Sequence, residues 1–176
     1  MRRQSAKGLL GRLLRDRAGV AAIEFALLAL PTFVLIFGIL ELGAMFFIDS
    51  ALDASVHKAA RLIRTGQVAK TNMALASFEA EICGNLLYVL NCSDNLLVAV
   101  DTLTDASSSG AMKAIGNSGT VSITENFDMG KGSDYVMVQA FLPWSPIVGL
   151  YSLSSHTLAD GSYLLGASVL FRNEPF

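Results

Sequence analysis

The sequence predicts an α+β chain: a long amino-terminal transmembrane helix that extends into a folded domain, where a second helix packs on a mainly antiparallel sheet of about four strands. Three observations carry this. Phe25 to Leu40 contains no charged residue. Apolar residues then recur at helical spacing as far as Ile63. After Cys92 the pattern shifts to short runs rich in Val, Tyr, Phe and Thr, the composition of strands. The expected divisions are residues 1–19, a basic leader; 20–48, the transmembrane helix; and 49–176, the folded α+β domain.

Composition supports the first element. Of 176 residues 52% are hydrophobic, and the mean hydropathy is +0.49, above that of an ordinary soluble domain. The excess is local. With its flanks the apolar segment runs from Val20 to Ile48, which as a helix is longer than the roughly 30 Å hydrocarbon core of a bilayer. Charge is equally uneven. Arg2, Arg3, Lys7, Arg12, Arg15 and Arg17 against Asp16 make residues 1–19 net +5, while the remainder, with seven basic and fourteen acidic residues, is −7. Basic residues ahead of a span hold that side in the cytoplasm, so the folded domain is expected outside it. A cleaved secretory signal fits poorly, because its apolar region is only about 7 to 15 residues long and small residues follow it. Here the small pair, Ala18-Gly19, precedes the run.

The helix that starts near Val20 is expected to continue past the membrane surface. Leu52, Val56, Ala59, Ala60 and Ile63 keep an apolar face, while Asp49, Asp53, His57 and Arg61 form a polar row. Gly66 is the expected stop, and Pro31 is a site for a bend. Thr71 or Asn72 would cap a second helix whose apolar positions are Met73, Leu75, Ala76, Phe78 and Ile82. Strands are predicted at Leu96–Thr102, Thr120–Asn126, Tyr135–Leu142 and Tyr163–Phe171, with a hairpin turn at Met129–Ser133 between the second and third. Pro143 should close the third strand, and Ser145-Pro146 should start a short helix through Tyr151.

Cys83 and Cys92 form an even pair on what is expected to be the oxidising side, which suggests a disulfide; two buried free thiols are the alternative. On one unbroken helix their α-carbons would stand about 13 Å apart, whereas a bridge needs less than roughly 7 Å, so the helix must end or bend between them, and Gly84-Asn85 is the place.

Glu24 lies near the start of the apolar run. One reading leaves it at the membrane rim, where a carboxylate reaches headgroups cheaply. The other starts from its neighbours: a basic leader, Gly19, then Val20-Ala21-Ala22-Ile23-Glu24-Phe25 and an apolar helix resembles the processing site of type IV pilin-like precursors. A cut after Gly19 would remove the leader and give Val20 a new ammonium. In staggered neighbouring helices that ammonium and the Glu24 carboxylate could pair, and an ion pair away from water fixes register, because a slipped partner leaves both charges unpaired.

The chain is more specifically similar to TadE-like pseudopilins of the tight adherence (Tad/Flp) pilus system. Four segments carry the likeness: GVAAIEFALLALPTFVLIFGILELG at Gly19–Gly43, HKAARLIRTGQV at His57–Val68, FEAEIC with its second cysteine at Phe78–Cys92, and FRNEP at Phe171–Pro175. The resemblance implies cleavage between Gly19 and Val20 by the prepilin peptidase, residence in the inner membrane with the amino terminus cytoplasmic and the body periplasmic, and a non-enzymatic part in pilus assembly alongside other Tad pseudopilins and assembly proteins. Glu24 and Phe25 would be its assembly residues. Phe25 departs from the tyrosine that major pilins carry at that place. The competing reading is an uncleaved membrane-anchored adaptor or scaffold of a pilus or secretion machine.

Other residues point to no chemistry. Glu41, about 25 Å beyond Glu24 along a straight helix, is expected to meet water at the outer interface. The row Asp49, Asp53, His57, Arg61 reads as a solvated face rather than a metal site, since an arginine ends it and no second histidine is near. His156 stands alone among hydroxyl residues. Trp144 with Ile147, Val148, Leu150 and Tyr151 reads as cover for the sheet, and Arg172 and Glu174 divide between a strand exit and a partner contact. No catalytic residue, cofactor, metal or small-molecule substrate is indicated. The net-negative body argues against nucleic acid.

Overall fold

The computed structural model describes residues 19–86, 91–105, 114–116, 119–146 and 157–176. The chain divides into two compact units, with the cut between Leu40 and Glu41.

The described part of the first unit is helical. Helix α1 spans Val20–Arg64 and runs through Pro31 without interruption. Proline has no N–H, so the Leu27 carbonyl loses its usual helical donor there; one residue on, Thr32 Oγ1 donates to the Leu28 carbonyl at 2.7 Å. Every large hydrophobic side chain from Val20 to Leu40 is exposed.

In the second unit the same helix changes character. Leu52, Val56, Ala59, Ala60 and Ile63 are all buried, as their spacing predicts, and Ser55, buried beside them, donates its hydroxyl to the Ala51 carbonyl at 2.7 Å. Gly66 stops the helix in the left-handed region, φ +71°. Two short helices follow where one was expected: α2, Gln67–Thr71, and α3, Leu75–Cys83. Thr71 and Asn72 therefore close a helix instead of opening one. Asn72 takes φ +49°, a left-handed turn that asparagine tolerates, and α3 starts at Ala74 without a side-chain cap. Phe78 and Ile82 of α3 are fully buried, at the predicted positions. A single turn, α4, occupies Cys92–Asn95.

Four strands complete the body: β1 Leu97–Leu103, β2 Asn126–Phe127, β3 Tyr135–Trp144 and β4 Tyr163–Arg172, in the order β2-β1-β3-β4. β1 with β3 and β3 with β4 are antiparallel, whereas β2 joins β1 in parallel. This corrects the expected hairpin. Both sides of β3 are taken, by β1 and β4, so the chain leaving Met129–Ser133 turns into β3 while β2 is left on the far margin of β1. Of the predicted strand Thr120–Asn126 only Asn126 pairs in the sheet, though Val121 forms an isolated bridge with Ile115. β3 runs one residue past Pro143, to Trp144, which packs against the core. The short helix expected through Tyr151, and with it Ile147, Val148, Leu150 and His156, lies outside the described residues.

Alternation sends Val98, Val100, Val136, Val138, Ala140, Leu142, Leu165 and Ala167 to one face, where they share a core with Leu52, Val56, Ile63, Phe78 and Ile82. At the sheet margin the Phe78 and Phe127 rings meet at 5.4 Å between centroids, fastening α3 to β2. This contact brings Glu79 toward Glu125. Burial, and secondly the Glu125 charge, raise the Glu79 carboxyl above its ordinary value.

The segment after β4 braces the end of α1. Asn173, buried, donates its Nδ2 to the Met129 and Lys131 carbonyls at 2.9 and 3.0 Å. The Glu174 N–H donates to the Arg64 carbonyl at 2.9 Å, and its carboxylate lies 3.5 Å from Arg64 Nε. Arg172 donates to the Ser133 carbonyl at 2.8 Å and stacks over Tyr135. FRNEP is thus held inside the fold by contacts of its own. The Phe176 ring sits where a Cβ on Gly66 would fall, at 2.6 Å.

Two predictions follow from these contacts. Gly66→Ala should cost about 1 to 2 kcal/mol for the left-handed backbone alone, with more for displacing the Phe176 ring, read as a lower denaturation midpoint of the body. Because the folded state raises the Glu79 pKa, protonated Glu79 favours folding below its unfolded pKa, and that contribution is lost as pH rises through the folded value. Glu79→Gln should therefore stabilise the body at pH 7 by a few tenths of a kcal/mol, roughly the scale of an exposed charge pair, and change nothing at acid pH, measured by thermal melts across pH.

Candidate functional site

The surface most unlike that of a soluble protein is the amino half of α1. Gly19 precedes it, and its carbonyl accepts the Ile23 N–H at 3.1 Å, closing the first helical turn. A Cβ built on Gly19 would meet nothing within 4 Å, and its φ lies outside the left-handed range. Nothing in the described fold requires glycine there.

Val20, the first helical residue, is followed four positions later by Glu24, on the same side and one turn along. Glu24 is exposed among exposed apolar neighbours, and Phe25 is 71% exposed. The helix has no acidic residue in its first turn. An ammonium created at Val20 would meet the unfavourable positive end of the helix dipole, for which a carboxylate is the natural counter-charge. Gly19, Val20, Glu24 and Phe25 are thus consecutive features of one exposed helix start. α1 is the one helix among the described residues long and apolar enough to cross a membrane.

Glu41 departs from expectation. It is 6% exposed, and Met45, one turn on, is buried too, so this carboxylate lies within the folded body rather than in interfacial water. The sequence reading treated α1 as a bare rod at that level, whereas the body begins there.

The two cysteines are brought together. α3 ends at Cys83 with Gly84 as its cap, the chain returns, and Cys92 opens α4; the sulfurs are bonded across a Cα separation of 5.6 Å. Lys58 Nζ donates to Asn85 Oδ1 at 2.6 Å, and Asn85 Nδ2 donates to the Glu81 carbonyl at 2.7 Å, so the clip is tied to α1 as well. A cavity of about 350 Å³ opens beside it, lined by Ala80, Cys83, Gly84, Asn91, Cys92 and Asp94 among others. Among the described residues that line it, Asp94 is the sole ionisable group.

In the polar row of α1, His57 Nε2 and Asp53 Oδ1 are 3.9 Å apart with both side chains more than half exposed, a loose surface pair. Among the described residues no three of His, Cys, Asp and Glu are grouped to hold a metal ion. The contacts that the sequence reading missed are those of Gly66 with Phe176 and of Asn173 with the turn; their only signal was the polar triplet Arg172-Asn173-Glu174 after an apolar strand.

Cys83→Ser with Cys92→Ser should lower the stability of the body by about 2.5 kcal/mol, the loop-closure value for a separation of 9 residues, read by melts of the purified chain with reductant as a parallel arm.

A comparison with family models matches residues 19–61 to TadE-like protein. No curated protein and no solved structure matches the chain. The matched stretch starts at Gly19, includes Val20, Glu24, Phe25 and Glu41, and reaches the buried seam at Leu52, Val56, Ala59 and Ala60. Over this helix, which bears both the exposed carboxylate and the seam that holds the body, the chain is similar to TadE-like proteins.

Proposed function

We propose that the chain is a non-enzymatic, pseudopilin-like membrane protein that takes part in assembling Tad/Flp pili through packing of its transmembrane helix and contacts of its body. The observation that carries this is the apolar surface of Val20–Leu40, exposed throughout and broken near its start by one carboxylate, inside the stretch that matches TadE-like proteins. Such a surface has no partner in water; lipid and neighbouring helices are its natural surroundings.

In this reading 20–48 spans the inner membrane, residues 1–19 face the cytoplasm and 49–176 lie in the periplasm, where the Cys83–Cys92 bridge is chemically at home. The prepilin peptidase cuts between Gly19 and Val20. The indifference of the described fold to a Cβ at Gly19 supports this, because the glycine then answers to something outside the chain, such as a peptidase that must approach the backbone closely. The Val20 ammonium of one subunit pairs with Glu24 of a neighbour, and the rings at Phe25, Phe33 and Phe37, all exposed, fill the spaces between helices. Other Tad pseudopilins and pilus assembly proteins are the partners. The chemistry is association, not turnover.

Two measurements test this. Intact-mass analysis of the protein from cells with and without prepilin peptidase should show an amino terminus at Val20 in the first and Met1 in the second, and Gly19→Ala should block the cut without lowering the stability of the body. Met1 in both strains would favour the uncleaved adaptor. Glu24→Ala should remain in the membrane yet lose pilus formation and association with partner subunits, by roughly tenfold or more, as expected when one buried charge is left alone. Normal pili from that variant would end the pairing argument.

A further inference from the structure

We infer that the Leu27 carbonyl, left open by Pro31, is a second acceptor beside Glu24, and that the two together receive the freed amino terminus of a second copy of this chain. This rests on the proposed cut ahead of Val20 and on the proposed placing of Val20–Leu40 in lipid, and adds to that reading a backbone acceptor and the source of the amine.

Pro31 has no N–H, so the Leu27 carbonyl lacks the donor that an α-helix supplies four residues on. In water such a group is solvated at little cost; in hydrocarbon it must find its donor in protein. Leu27 stands seven residues from Val20 and thirteen from Leu40, about 10 and 20 Å along the helix, too deep for bulk water at either end. The remedies within the chain are already spent. A change of helical pitch would offer another N–H, but α1 is α-helical without interruption from Val20 to Arg64. A hydroxyl would serve, but Thr32 Oγ1 donates to the Leu28 carbonyl at 2.7 Å. Thr32 and Glu24 are the only polar side chains from Val20 to Leu40, and a carboxylate only accepts. The Leu27, Leu28 and Leu30 side chains are 70, 70 and 69% exposed, so a neighbouring helix has room to approach.

Glu24 lies three positions before Leu27, on the same side of the helix. That side therefore carries a carboxylate and, about a turn further in, an open carbonyl. It lacks donors. The cut amino terminus has the reverse need. The Gly19 carbonyl, which accepts the Ile23 N–H at 3.1 Å, leaves with the leader; the Val20 ammonium then brings three N–H groups, and Ala21, Ala22 and Ile23 one each, with no acceptor in their own helix. Glu24 alone leaves part of that set unmet, and the Leu27 carbonyl is the acceptor that covalent structure holds open within reach of it. The two sets meet when copies lie side by side, offset by about 6 to 10 Å, the rise from Val20 to Glu24 and to Leu27. Bonds from an ammonium are charge-assisted, and a slipped copy would strand both partners. Both halves belong to this chain, and its apolar run offers nothing else polar to recognise, which identifies the visitor as a second copy.

Two differently tagged copies of the full chain, expressed together, provide the test in native membranes. The native copies should co-purify. Pro31→Ala, which returns an N–H to the Leu27 carbonyl, should lower the yield roughly tenfold, while intact mass still places the amino terminus at Val20 and the protein stays in the membrane. Pro31→Ala with Thr32→Pro keeps a proline in the helix but moves the open carbonyl to Leu28, about 100° round it, and should not restore the association. No association between native copies, an unchanged yield with Pro31→Ala, or recovery on adding Thr32→Pro would overturn the inference. Glu24→Ala separates this from the reading beneath it. Normal association of Glu24→Ala counts against the ion pair itself, whereas loss with Glu24→Ala and none with Pro31→Ala removes the Leu27 carbonyl alone.

Discussion

The structure depends on one seam. Leu52, Val56, Ala59, Ala60 and Ile63 place a fully apolar stripe of α1 against the inner face of the sheet, with Phe78 and Ile82 of α3 closing the side. Leu52, Val56, Ile63, Phe78 and Ile82, all fully buried, each contribute about 1.5 to 3 kcal/mol of burial before the entropy of ordering them is subtracted. The seam also makes the amino-terminal helix indispensable to the body. A body cut away from the Leu52–Ile63 segment of α1 would expose the sheet's inner face.

Around that seam the chain is closed by devices that act at its margins. The Cys83–Cys92 clip holds α3 to the approach of β1, the Phe78–Phe127 contact holds α3 to the short parallel strand, and the brace after β4 holds the end of α1 to the turn at Met129–Ser133. None of these resembles a reaction centre. The polar groups they use are spent on backbone carbonyls, and the acidic residues that approach one another, Glu79 and Glu125, mildly oppose folding.

Much of this was legible in the residues. The α1 seam, its stop at Gly66, the end of α3 at Gly84 and the strands β1, β3 and β4 all follow from hydrophobic period and from glycine, which act locally. The pattern around Glu24 is equally local, with four residues between Gly19 and Glu24. What escaped depends on distant neighbours. Thr120–Asn126 alternates as well as any strand, yet β3 had no free side for it. Asn72 has the chemistry of a cap but also that of a left-handed closure, and local sequence does not choose between them. Glu41 was read as if only water and lipid could surround it, and the folded body proved to surround it instead. The roles of Asn173 and Phe176 rest on pairings with residues 42 positions or more away, which no local period encodes.

The Glu174 N–H bonded to the Arg64 carbonyl carries a consequence for biogenesis. Those two groups are about 110 residues apart in the sequence, and ribosomes add roughly 5 to 20 residues each second. The first helix is complete several seconds before the group that seals its far end has been synthesised. Throughout that interval the seam is bare. Any chaperone or partner that binds apolar stripes would meet it before the sheet does.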